Sequence, residues 1–240
     1  MVPQRAIILR IHDNKKSVDY SIACAESCDV LRIPWEFYEG FSHEKFKKEK
    51  KDLWSEVMKK GIEFPKKPSI SGPAAFCTAG HYAIWKKIMD DNICTIVLEH
   101  DALLLHRPEI DIPDDVICAL GYKVKDPQNY DHKRAGPPRI LEDRKKHGGA
   151  HAYAITPKTA KTLLGELKKK PRPNFIDNAI FLTGSYRGEA KLQICNPICA
   201  LGWLRESTIW KTSAVDNYAP ILPSFQEHYN SKENLGIKKS

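Results

Sequence analysis

The chain alternates between short apolar runs and segments whose apolar residues recur at helical spacing. Ala6-Ile-Ile-Leu-Arg-Ile11 is almost unbroken and stops at His12-Asp13-Asn14-Lys15, which predicts a first buried strand. Residues 18–27 read as a helix. Val30-Leu-Arg-Ile33 reads as a short second strand, stopped by Pro34. Residues 43–60 form one predicted helix with Phe46, Leu53, Trp54, Val57 and Met58 on a stripe and Gly61 as its stop. After a loop over 64–72, Pro73 opens a helix that runs to about 91, with Cys77, His81, Ile84, Trp85 and Ile88 on one stripe and Asn92 ending it. Ile93-Cys-Thr-Ile-Val-Leu98 follows at once as a strand apolar on both faces, and 116–121, 150–155 and 192–200 give further strands. Thr156 caps a helix with Pro157 at its first position and Ala160, Leu163, Leu164 and Leu167 on one face. Residues 123–149 stand apart as a long polar loop rich in Pro, Gly, Arg and Lys. Strands alternating with helices predict an α/β fold, a single domain over 1–222 with a mostly parallel central sheet, followed by a polar tail over 223–240.

Composition narrows the class. With 240 residues, 42% of them hydrophobic and 28% charged, the chain has the makeup of a globular domain rather than a fibrous or disordered one. No apolar run approaches the roughly 20 residues needed to span a bilayer. Residues 6–11 are too short for a secretory h-region, and no small-residue cleavage site follows them. Seven cysteines, an odd number without a Cys-x-x-Cys pair, predict free thiols in a reducing, cytoplasmic compartment. Cys77, Cys94 and Cys118 stand where a small hydrophobe would serve. The formal net charge of +8 suits an anionic partner, but the lysines fall at helix-surface spacing within 43–60 and 158–170 and in the tail, which reads as solvated faces. No nucleic-acid motif is present. The Lys-rich 43–60 helix is the one candidate for peripheral contact with anionic lipid, with a solvated face as the default.

The sharpest local feature is Thr95-Ile-Val-Leu-Glu99-His100-Asp101, a hydrophobic strand that runs straight into acidic residues. Open α/β sheets bind ligands beyond the carboxyl ends of their strands. Were the extended geometry to persist, Glu99 and Asp101 would point one way and His100 the other. Two hard oxygens there suit Mg²⁺ or Mn²⁺ bridging a diphosphate. The plain alternative is a polar end to a strand.

These residues sit inside a wider resemblance. Ala75-Phe-Cys-Thr-Ala-Gly-His81-Tyr-Ala-Ile-Trp85-Lys-Lys-Ile, then Thr95-Ile-Val-Leu-Glu99-His-Asp101, resembles the core signature of glycosyltransferase family 25, the lipooligosaccharide and collagen β-galactosyltransferase family. That signature is a helix carrying Ser-His…Trp-Lys, a turn, and a strand ending in Glu-Asp-Asp. Gly149-Ala-His151-Ala-Tyr153 resembles the family's Gly-Thr-His-Ala-Tyr segment, and Pro173-Asn-Phe-Ile-Asp177 its Pro-Val-Asp. Two departures are plain. The Ser-His is Gly80-His81 here, and the middle carboxylate of Glu-Asp-Asp is His100.

The resemblance implies a GT-A-like, Rossmann-like nucleotide-sugar fold and an inverting transfer, commonly of galactose from UDP, to a glycan, lipooligosaccharide or protein acceptor. It implies Mn²⁺ or Mg²⁺ at Glu99 and Asp101, with His100 as a third candidate ligand. Asp177 is the candidate base, with helix capping as its alternative role. His81 stands either beside the donor or as a buried, hydrogen-bonded histidine. His151 stands as a candidate contact to the diphosphate or the metal. Trp54 and Trp85 read as core, and the basic residues of 123–149 as a loop closing over a diphosphate or a solvated insertion. Two other functions compete. One is the same fold without catalysis, holding a glycan or anionic partner, to which the loss of the middle carboxylate points. The other is a nucleotidyltransferase, which lacks a Gly-rich phosphate loop here.

Overall fold

The computed structural model describes residues 1–121, 139–142, 149–170 and 174–202. Its elements are β1 (Arg5–Arg10), α1 (Lys15–Val30), β2 (Trp35–Glu39), α2 (His43–Lys48), α3 (Leu53–Lys59), α4 (Pro73–Asp91), β3 (Thr95–Glu99), β4 (Leu103–Leu104), β5 (Val116–Ala119), β6 (Arg139–Glu142), β7 (Ala152–Ile155), α5 (Pro157–Lys169), β8 (Lys191–Asn196) and β9 (Ala200–Leu201), with a π-helical turn at Asp177–Leu182 before β8. Seven strands form one sheet in the order β2-β1-β3-β7-β5-β8-β6. Strands β2, β1, β3, β5 and β8 run one way, and β7 and β6 are reversed. The expected mostly parallel α/β sheet is therefore present, with a reversed strand at its centre.

Period-two alternation sorts the side chains onto two faces. Ile7, Leu9, Val97, Ile117, Tyr153 and Ile155 face α3, α4 and α5. Ala6, Ile8, Ile96, Leu98, Cys118, Ala152 and Ala154 face α1 and its Cys24, Ala25 and Cys28. Burial on both faces explains why these strands read as unbroken apolar runs. Chain order runs β1 to β2 on one side and returns to β3 on the other, so the carboxyl ends of β1 and β3 flank a topological switch point.

Four sequence expectations about elements are corrected. Residues 30–33 are not a strand. Val30 ends α1, and the chain leaves it through Arg32 at φ 53°, with Ile33 N–H donating to Cys28 O and Arg32 N–H to Asp29 O. That is a Schellman ending, whose apolar Leu31 and Ile33 are buried as a turn, and the strand forms after Pro34. Residues 43–60 are two helices. Lys50 at φ 51° ends α2, and Asp52 caps α3 by accepting from Trp54 N–H at 3.3 Å. Residues 192–200 are two strands separated at Pro197, which has no N–H to give a ladder. Within the expected 123–149 loop, Ile140 and Leu141 carry an edge strand that pairs with Cys195 and Ile194 of β8. Residues 123–138 and 143–148, with Lys133, Arg134, Arg144, Lys145, Lys146 and His147, lie outside the described residues, as do 203–222 and the tail.

The expected helices after residue 73 and after residue 156 are present. Helix α4 spans Pro73–Asp91, with Asn92 left-handed at its end. Thr156 caps α5 by accepting from Thr159 N–H. All seven cysteines are free, and all but Cys77 are buried. No helix among the described residues is long and apolar enough to cross a membrane.

Candidate active site

Two periodicities meet at Glu99. On β3, the side chains of Thr95, Val97 and Glu99 fall on the same side of the strand, and Val97 belongs to the core under α4. On α4, Cys77, His81 and Trp85 are spaced i, i+4, i+8 and share a face. On β7, Tyr153 pairs directly with Val97 and points the same way. The result is a buried relay. Trp85 Nε1–H donates to the Tyr153 hydroxyl at 2.8 Å. Tyr153 and His81 Nδ1 are 2.9 Å apart, and His81 Nε2 lies 3.1 Å from Glu99 Oε1. Because an ionised carboxylate can only accept, Nε2 carries the proton that bonds to Glu99, which leaves Nδ1 of the neutral ring to accept from the Tyr153 hydroxyl. The Cys77 thiol donates to the same Oε1 at 3.1 Å.

The relay controls the charge on Glu99. Burial would push its carboxyl up, but the hydrogen bonds from His81 and the Cys77 thiol, with the His100 imidazole beside it, outweigh that and hold it at about 2. Its neighbours go the other way. Burial, then the Glu99 charge, pushes Asp101 up to about 7. Asp177 is raised by the same two causes, opposed by the Ala150 N–H that donates to its Oδ1 at 3.2 Å. Asp101 and Asp177 thus each respond to the Glu99 charge at the carboxyl end of β3.

The placements differ in detail from the sequence expectation. Extended geometry stops at Glu99, and a turn closed by Ala102 N–H to Glu99 O at 3.0 Å carries His100 and Asp101. Alternation therefore does not aim Glu99 and Asp101. Asp101 is buried by the turn, and its Oδ1 has no hydrogen-bond partner among the described residues, as is true of His100 Nε2. The His100 ring stacks beside Tyr20 at 6.3 Å. The Asp177 carboxylate accepts from Ala150 rather than capping its own turn, which has no side-chain cap. His81 is fully buried with both ring nitrogens engaged. In the signature's Ser-His position, a Cβ on Gly80 would come within 2.8 Å of Leu9, so α4 lies close on β1. Cys77 and Tyr153 were missed as site residues. The i, i+4 spacing of Cys77 and His81 was the available signal.

His151 precedes β7 and gives its carbonyl to Glu99 N–H at 2.9 Å. Its ring fills a space walled by glycines. A Cβ on Gly149 would stand 3.0 Å from Nδ1, and one on Gly121 would stand 2.7 Å from Cδ2 and 3.1 Å from the Ala200 carbonyl. Burial lowers this imidazole to about 4, so it is neutral at pH 7. Gly121→Ala will therefore cost about 1–3 kcal/mol by overpacking, a fall in Tm of about 2–12 °C. Gly165→Ala, where a Cβ meets nothing within 4 Å, is the control in α5. It will hold or raise Tm, since alanine favours a helix interior by roughly 0.5–1 kcal/mol. Equal Tm values for the two variants would remove the packing role of the glycine wall.

A groove of about 390 Å³ opens beside the N-terminus of α4, lined by His43, Phe46, Trp54, Ile70, Gly72 and Phe76 among others. Phe76 comes from α4, one residue before Cys77.

Comparison with known proteins gives a match over part of the chain. Residues 16–112 match the family model described as "Glycosyltransferase family 25 (LPS biosynthesis protein)". No curated protein matches. Among solved structures, one similar chain is described as "crystal structure of a glycosyltransferase involved in the glycosylation of the major capsid of PBCV-1", at 10% identity and a TM-score of 0.42, over 94% of this chain and 99% of that one. The matched stretch runs from α1 through the relay helix and Glu99 to residue 112, and over it this chain carries the sequence pattern of glycosyltransferase family 25.

Proposed function

We propose that the chain is a glycosyltransferase that moves a hexose, galactose foremost, from a UDP-sugar to a hydroxyl of a glycan, lipooligosaccharide or protein acceptor, with inversion and with help from Mn²⁺ or Mg²⁺. The observation that carries this reading is the ionised Glu99 at the carboxyl end of β3, inside the stretch that matches glycosyltransferase family 25, with its charge bearing on both Asp101 and Asp177. Two carboxylates suit a hard divalent cation by chemistry, although Glu99, His100 and Asp101 do not bring three donor atoms within 4.8 Å of one another in this structure. Asp101 Oδ1 is buried without a partner among the described residues, and the Glu99 charge bears on it. Glu99 and Asp101 would hold the cation, with His100 Nε2 as a further donor. Bound there, it would neutralise the diphosphate as that group departs.

The protein's own groups supply the rest. His81 keeps Glu99 ionised and fixes its orientation. Asp177, whose carboxyl is raised by burial and the Glu99 charge and whose carboxylate is held by the Ala150 N–H, takes the proton of the acceptor hydroxyl. The acceptor oxygen bonds to the anomeric carbon as the bond from that carbon to the diphosphate breaks, and UDP leaves with the electron pair.

The test is a thermal-shift panel of UDP, GDP and CMP sugars, each with Mn²⁺, Mg²⁺ or chelator. UDP-galactose with Mn²⁺ will raise Tm, and chelator will abolish the rise. Asp177→Asn will keep the rise and lower transfer by about 10²–10⁴-fold, the usual worth of a general base. Full transfer by that variant overturns the base assignment. A rise that persists in chelator overturns the metal. The absence of any shift across the panel moves the reading to a binding module for a glycan or anionic partner, to which the loss of the middle carboxylate at His100 points.

A further inference from the structure

Cys77, His81 and Glu99 each present one donor atom to a common point, and the three atoms lie within 4.8 Å of one another. Sγ to Oε1 and Nε2 to Oε1 are both 3.1 Å. Ligands of a tetrahedral Zn²⁺, at about 2.0–2.3 Å from the ion, stand about 3.3–3.6 Å apart, so the Sγ–Oε1 and Nε2–Oε1 pairs lie within a few tenths of an ångström of ligand spacing. From these donors we propose that Cys77, His81 and Glu99 form a three-ligand site for a borderline-soft cation, Zn²⁺ foremost, distinct in ligand chemistry from a Mn²⁺ or Mg²⁺ site on Glu99 and Asp101.

The donor types decide the ion. A thiolate and an imidazole favour Zn²⁺ over Mg²⁺ or Mn²⁺, which prefer oxygen alone. The support behind the ligands is built in. His81 Nδ1 is held by Tyr153, which is held in turn by Trp85, so the ring presents Nε2 at a fixed angle. Such outer partners are what orient a ligating histidine. The i, i+4 placement on α4 sets Cys77 and His81 on one face, and β3 brings the carboxylate to it. Cys77 and Glu99 are only partly buried, which leaves the fourth position accessible from solvent. Binding releases one proton to water, from the thiol, while the imidazole stays neutral and its N–H moves from Nε2 to Nδ1, which then donates to the Tyr153 oxygen.

Glu99 is shared between the two sites, so a zinc-loaded chain has lost a ligand for the donor-assisting metal. The consequence is regulation. Zn²⁺ at Cys77, His81 and Glu99 excludes the Mn²⁺-supported donor complex. This consequence rests on the proposed transfer reaction, whereas the site itself does not.

The test uses the full chain. Co²⁺ titration will give a near-ultraviolet sulfur-to-metal charge-transfer band at one equivalent, displaced by Zn²⁺. Cys77→Ser will lose the band and weaken Zn²⁺ binding, measured by competition with a chromophoric chelator, by at least 10-fold. Cys195→Ser/Cys199→Ser is the control, since those two sulfurs lie 3.0 Å apart away from the relay. That variant will bind as the parent does. An unchanged band in Cys77→Ser, or a band lost only in the control, overturns the site. With Mn²⁺ and UDP-galactose, added Zn²⁺ will cancel the thermal shift in the parent and not in Cys77→Ser. A charge-transfer band without any donor shift would leave the zinc site standing and sink the transferase reading. A donor shift without a band would do the reverse.

Discussion

Asp101→Asn will raise Tm by about 5–10 °C at pH 8 in chelator, and will leave it unchanged at pH 4. The sign follows from linkage. In the folded chain the Asp101 carboxyl is held at about 7, by burial first and by the Glu99 charge second, against an ordinary value of 3.8. Between those two values the folded state holds a proton that the unfolded state has released. Stability therefore falls as pH rises through that window, and the loss is complete above about 7. Three units correspond to about 4 kcal/mol as an upper figure, and about 2–3 kcal/mol survives relaxation around the charge. Asparagine keeps the shape and removes the charge. His151 titrates in the opposite sense. Its folded value of about 4 lies below the ordinary 6.5, so it contributes stability above 6.5 that is lost as pH falls towards 4. That contribution is common to both proteins and cancels in their difference. Differential scanning at pH 4, 6 and 8 checks the expectation. Equal Tm at pH 8, or a gap that does not close by pH 4, refutes it. The same variant will lose the Mn²⁺-dependent shift with UDP-galactose. A charge that destabilises the empty fold and is needed for the loaded one marks a site kept for binding rather than for folding.

The parts of the chain that could be read in advance are those where local chemistry and tertiary packing agree. Helix α4 announces both its ends, Pro73 at the first turn and Asn92 at the left-handed stop, and its stripe already held Cys77, His81 and Trp85 together. Strand β3 announces itself as an apolar run, and the acid at its end was visible. The misreadings share one cause. Val30-Leu-Arg-Ile33 has strand-like composition but is buried as a helix ending, since a Schellman turn also wants an apolar residue after its left-handed position. Asp52 splits the 43–60 helix because an N-cap needs only one residue and leaves the seven-residue step from Phe46 to Leu53 intact. Ile140 and Leu141 are too few to signal a strand until β8 supplies their partner. At the site, sequence order shows Glu99 and Asp101 as neighbours but cannot show that the turn at 99–102 separates their roles. Nor can it show that Tyr153, from a strand more than fifty residues on, completes the support of Glu99.

That support sets the second large expectation. Tyr153→Phe will lower Tm by about 5–15 °C, because one hydroxyl serves two buried partners at once. Without it, Trp85 Nε1–H loses its acceptor and His81 Nδ1 its donor. Both lie in a fully buried pair of side chains, where each orphaned polar group costs about 1–3 kcal/mol. Trp85→Phe alone removes the donor and leaves Tyr153 bonded to His81, so it will cost mainly the volume of the indole. The double variant removes the indole N–H that Tyr153→Phe would strand, and its loss will fall short of the sum of the singles by about 1–2 kcal/mol. A packing role for Tyr153 alone would make the two changes additive. The readout that separates support from packing is Glu99 itself. Freed from the Tyr153 proton, the His81 ring can swap its protonated nitrogen, and its hold on Glu99 Oε1 weakens. The Glu99 carboxyl will then rise from about 2 towards its ordinary range. Carbon-13 titration of the carboxylates follows that rise directly. It will be present in Tyr153→Phe and absent in Trp85→Phe, where the Tyr153 to His81 hydrogen bond is intact. A Glu99 carboxyl that stays at about 2 in Tyr153→Phe would refute the relay while leaving the packing loss unexplained by it.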